Sequence, residues 1–171
     1  MQISQNTTNT IIYDKVNVFS YFLFGIPFFV LPIVLLLWAT LKNFTIIIFP
    51  LMLLIIGGYF YFRICKAFIH IIIGKPMIEF TNEKYVDNLN GFSLRWSDIN
   101  RVSLKNGKAP FVVFNLKENK RLYSDMNLFK KLFYKFERND LNSIQTNIRY
   151  AHGKNSAIFR EIENRFKNVK P

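Results

Sequence analysis

The side chains able to do acid–base, nucleophilic or metal chemistry are few: two histidines, one cysteine and eleven carboxylates in 171 residues. His70 and His152 stand 82 positions apart, with none of the short ligand spacings that hold a zinc ion. All the carboxylates but Asp14 follow Arg63, scattered so that no motif sets two of them as acid and base. A Gly-rich phosphate loop, HExxH, CxxC and a serine elbow are all missing. The expectation is therefore a chain without catalytic residues, metal or cofactor. Cys65 has no second cysteine to pair with, which suits a reducing compartment, and it reads as an ordinary apolar helix residue.

Cations are the chemistry this chain does carry. Of 23 Lys and Arg, 21 lie at or beyond Arg63, leaving that part of the chain at +11. A field of that sign attracts an anionic membrane surface, nucleic acid or an acidic protein. Arg63, Lys66 and His70 are spaced three and four apart and share one helix face. Between Leu128 and Arg138, Lys130, Lys131, Lys135 and Arg138 flank a stripe of Leu128, Phe129, Leu132, Phe133 and Phe136. Such a helix either lies in a head-group layer or packs its Phe stripe on the neighbouring domain with a solvated basic exterior. With no recognised motif, nucleic acid is the weakest of the three partners.

What must position these residues is dominated by two apolar runs. Val18 to Leu41 is 24 residues without a charge and Phe44 to Phe62 is 19, separated by Lys42 and Asn43. At ~1.5 Å per helical residue they reach roughly 36 and 28 Å, against ~30 Å of bilayer hydrocarbon. They read as a two-helix transmembrane hairpin spanning 18–74 with its extension, after a polar N-terminal tail over 1–17. Gly25, Pro27, Pro32, Pro50, Gly57 and Gly58 read as bends, because an open backbone in lipid costs more than a kink. The first run is too long and its end too bulky for a cleaved signal peptide. Lys15, Arg63, Lys66 and Lys75 outnumber Lys42 at the tip, which puts both termini in the cytoplasm. Gly74 and Pro76 then stop the second helix.

From Met77 the period becomes two. Strands are predicted at 77–80, 85–87, 92–96, 101–105, 111–116 and 143–150, with hairpin turns at Asn90-Gly91 and Asn106-Gly107. Helices are predicted over 125–137 and, after an Asn155 cap, over 156–167, where Ile158, Phe159, Ile162 and Phe166 form the apolar stripe. Residues 75–171 thus make one antiparallel β domain closed by a C-terminal amphipathic helix.

Two stretches carry a resemblance. Gly74-Lys75-Pro76-Met77-Ile78-Glu79-Phe80 matches a basic linker, a proline and a first strand. Gly91-Phe92-Ser93-Leu94-Arg95-Trp96-Ser97-Asp98-Ile99 matches a hydrophobic strand, then Trp, an acidic residue two positions on, and Ile. In both, and in overall layout, the chain resembles small bacterial inner-membrane proteins with two transmembrane helices and a cytoplasmic pleckstrin-homology-like (PH-like) domain. Thr81-Asn82-Glu83-Lys84 stands where that family often has an acidic-Gly turn. The resemblance implies an α+β membrane protein with a PH-like antiparallel β-sandwich or barrel, signature positions Pro76, Leu94, Trp96, Asp98 and Ile99, and no catalytic residue. Asp98 is expected to bond nearby backbone amides. The function expected is a non-enzymatic scaffold or adaptor at the inner membrane. Its partners are the lipid bilayer, anionic head groups and a protein. The alternatives are an immunity protein against a membrane-acting toxin and an accessory subunit of a larger membrane complex.

Overall fold

The computed structural model describes residues 9–42, 47–105, 107, 109–117 and 143–169, apart from the side chains of 9, 53, 54, 56 and 60. The protein is α+β and divides into two units, one built from Ile12–Met77 and the other from the strand ending at Ile11 together with the chain from Ile78 onward. The predicted helix over 125–137 and the turn residue Asn106 lie outside the described residues.

The second unit holds two antiparallel sheets. Strands β1 (Asn9–Ile11), β2 (Ile78–Phe80), β3 (Lys84–Asp87) and β4 (Phe92–Arg95) form the first in that order, and β5 (Ile99–Lys105), β6 (Phe111–Leu116) and β7 (Ser143–Asn147) form the second. Alternation decides which side is buried: Val112, Phe114 and Leu116 point inward on β6, as do Phe92 and Leu94 on β4. Tyr85 stands at the centre, its ring 4.6 Å from Phe114 and near Phe80, Phe92 and Trp96. The Asn90-Gly91 turn forms as predicted, within a four-residue loop over 88–91. There Gly91 takes φ +68° and donates its N–H to Asp87 O at 2.8 Å. Helix α4 (Asn155–Val169) buries Ile158, Ile162 and Phe166 while Phe159 is half-buried. Its first turn closes on the carbonyl of Lys154, so Lys154 rather than Asn155 holds the capping position.

In the other unit, α1 (Lys15–Gly25), a π-helical turn (Ile26–Val30) and α2 (Leu31–Thr40) run as one 26-residue helix, long and apolar enough to cross a membrane. Helix α3 (Ile48–Ile72) meets the same test only as two segments joined at a 41° bend. The two rods fit through reciprocal glycines. A Cβ on Gly25 would lie 2.1 Å from the Tyr61 ring, and one on Gly57 2.1 Å from the Phe29 ring. Phe22 stacks on Phe68 at 4.4 Å beside them. The π turn is a consequence of Pro27. Ile26 N–H bonds Leu23 O, and the next donor that could reach Phe22 O belongs to a proline, which has none. The Tyr61 hydroxyl approaches Phe22 O instead, at a long 3.5 Å. Pro50, read from sequence as a bend, falls in the first turn of α3, where the missing N–H costs nothing.

The residues before the first helix are more than a tail. Asp14 caps α1, accepting the Asn17 N–H at 3.0 Å, and Asn9–Ile11 pair with Ile78–Phe80 as Asn9↔Phe80, Thr10↔Glu79 and Ile11↔Ile78. The chain therefore leaves the sheet at Ile11, makes a 66-residue helical excursion, and re-enters beside its exit at Ile78.

Two outcomes follow. A fragment starting at residue 76 loses β1, so it should melt roughly 8–16 °C below a version in which Ile11 is joined to Ile78 through Asn-Gly, since burying one Ile contributes about 2 kcal/mol. Equal melting temperatures by circular dichroism would show that β1 is idle. Gly57→Val should lower the melting temperature of the whole chain in detergent, and adding Phe29→Ala should recover part of the loss.

Candidate functional site

The basic face of α3 is not uniform. The Arg63 guanidinium lies 4.6 Å over the Tyr59 ring and donates to Tyr59 Oη at 2.6 Å, a cation–π contact that fixes a long side chain. Lys66, one turn on, is half-buried. His70 is only 7% exposed, its Nδ1 2.7 Å from the hydroxyl of Tyr13, itself 3% exposed. Which of the two donates depends on the imidazole tautomer. His70 therefore joins the two ends of the helical excursion and is withdrawn from the set of side chains open to a head group. Arg63 and Lys66 remain on that face. Lys130, Lys131, Lys135 and Arg138 lie outside the described residues.

The signature positions build the β unit rather than a binding surface. Leu94, Trp96 and Ile99 are almost wholly buried, and the Trp96 indole N–H donates to Thr81 O at 2.9 Å. Pro76 is half-buried in the connection that follows Gly74, whose φ is +69°. Asp98 departs from expectation: its carboxylate accepts from the Ser97 hydroxyl at 3.2 Å, and its backbone carbonyl receives Lys117 N–H at 2.9 Å.

Sequence reading missed one constellation. Asp87 is wholly buried; its carboxylate accepts from Thr146 Oγ1 at 2.8 Å, from Asn90 N–H at 2.8 Å and from Asn90 Nδ2 at 2.7 Å. Thr146 in turn accepts from the Tyr85 hydroxyl at 2.9 Å. A carboxylate with this many donors is stabilised in its charged form and ties β3 to β7 across the two sheets. The signal was present: Asp87 shares parity with inward-facing Tyr85, and an inward Asp requires partners. The hydroxyls of Thr146 and Tyr85 and the amides of Asn90 are thus engaged in holding the sheets together.

One open groove of ≈ 490 Å³ lies at the corner between the sheets, with Glu83, Arg95 and Lys117 on its rim. His152 is exposed beyond β7. Among the described residues no three of His, Cys, Asp and Glu converge as metal ligands. Compared with known proteins, the chain matches no family model, no curated protein and no solved structure.

Thr146→Val should cost about 2 kcal/mol, because it takes a donor from the buried Asp87 and an acceptor from Tyr85, whereas Tyr85→Phe should cost about 1 kcal/mol. Chemical unfolding of the full chain in detergent measures both. A neutral Thr146→Val would mean the sheets are not tied there.

Proposed function

We propose that this chain is a membrane-anchored PH-like module of the bacterial inner membrane, working as a non-enzymatic scaffold or adaptor on the cytoplasmic side. The strand pairing carries the reading. A single crossing would leave β1 and β2 on opposite faces of the bilayer, whereas they are neighbours in one sheet, so the excursion between them crosses twice or not at all. Exposure favours crossing. Among the described residues, every exposed large apolar side chain lies between Ile12 and Ile73, and only 6% of the apolar window in Lys15–Thr40 is buried. In water that surface would be an aggregation hazard, and in lipid it is solvated.

The same pairing argues against a cleaved leader, since cutting after α2 would remove β1 from its sheet. At the far end of the first helix Lys42 Nζ lies 4.3 Å over the Trp38 ring, a pairing suited to the membrane–water boundary. The excess of Lys15, Arg63, Lys66 and Lys75 at the other end favours the cytoplasmic orientation. The PH-like assignment is supported by four strands and three strands in separate antiparallel sheets followed by a helix packed on β5. Binding rather than catalysis is supported by the fate of the buried polar groups: Asp87, Thr146, Tyr85 and His70 are consumed by bonds that hold the fold.

Phosphatase and fluorescent-protein fusions at each terminus test the anchor, with both ends expected inside; one end outside overturns it. Purification of the full chain in mild detergent is expected to bring down a stoichiometric protein partner. A chain that emerges alone removes the adaptor role, and a secreted toxin as partner transfers the protein to the immunity class.

A further inference from the structure

Near its polar end the helical unit has a second groove, of ≈ 350 Å³, lined by Lys15, Val16, Phe19 and Ser20 from the first helix and Phe68 and Ile71 from α3. Its α3 wall is held by the stacking of Phe68 on Phe22 at 4.4 Å. Val16 and Phe19 are 75% and 50% exposed, so the trough opens on the same surface that the bilayer reading assigns to lipid. One cation stands at its mouth. Lys15 is exposed and has no ion-pair partner among the described residues, because the adjacent Asp14 is turned onto Asn17, accepting its N–H at 3.0 Å and its Nδ2 at 2.9 Å. An apolar trough ending in an uncommitted ammonium is complementary to an amphiphile with an anionic head.

Other occupants fit less well. Helix pairs in lipid approach through Gly, Ala or Ser, whereas Phe, Val and Ile dominate these walls. A volume of ≈ 350 Å³ is at the small end for ligand sites and suits one chain of a lipid better than a helix. Building on the membrane reading above, we infer that this groove holds one anionic phospholipid of the surrounding bilayer. Its phosphate sits at Lys15 Nζ, and part of one acyl chain lies along Phe19, Phe68 and Ile71.

The test uses the full chain in nanodiscs of equal phosphatidylglycerol and phosphatidylcholine, released for native mass spectrometry. One retained phospholipid per chain is expected, phosphatidylglycerol enriched roughly fivefold, the preference a single lysine supplies at a membrane surface. Lys15→Gln should abolish the enrichment, Ser20→Phe should fill the trough and lower retention of both lipids, and Lys154→Gln should change neither. Should Ser20→Phe fail to insert, Lys15→Gln decides alone. Equal retention of the two lipids by the unaltered chain overturns the inference, as does enrichment that survives Lys15→Gln. A dimer lost on Ser20→Phe also overturns it, assigning the groove to a second copy. A chain that enters nanodiscs but carries no lipid sinks this site only; one that stays soluble without detergent and never enters them sinks the membrane reading as well.

Discussion

Pairing between Asn9–Ile11 and Ile78–Phe80 is the constraint on which the other features depend. A three-residue strand cannot by itself hold shut a 66-residue loop, whose closure costs roughly 4 kcal/mol in chain entropy. The helices do most of that work. Gly25 seats Tyr61 and Gly57 seats Phe29, so the two rods lie close enough for Tyr13 to reach His70. With the ends of the excursion thus drawn together, β1 arrives opposite β2 at little further cost.

Several buried polar groups are matched by partners from other segments. The carbonyl left over where Pro27 interrupts the helix is met by Tyr61, the imidazole of His70 by Tyr13, and the carboxylate of Asp87 by Thr146 and Asn90. Each match joins segments that the hydrophobic pattern brings near but does not register. An apolar core tolerates small slips, whereas a buried carboxylate without its donors does not. The aromatic cluster around Tyr85 supplies cohesion in the β unit and the Asp87 network supplies its alignment.

This division bears on function. Asp87, Thr146 and His70 are bonded within the fold, while Arg63 lies over the Tyr59 ring and Lys15 stands at the mouth of an apolar groove. Such a distribution suits recognition of anionic surfaces.

Much of the architecture was legible in the residues themselves. Uncharged runs announced the helices, period-two alternation located β2 to β7 within a few residues, and the stripe Ile158, Ile162, Phe166 marked α4, because each rests on neighbours within a turn or two. The loop at Asn90-Gly91 was equally local. What only the tertiary structure decided involves partners far apart in the chain. Asn9-Thr10-Ile11 is too short to show a pattern and becomes a strand only against Ile78–Phe80. His70 and Tyr13 are 57 positions apart, and Asp87 and Thr146 59, so the role of each was invisible from its own surroundings. Local periodicity reports which face of an element is apolar; it carries no information about which distant group a buried donor or acceptor will meet, and that meeting is settled only when the chain packs.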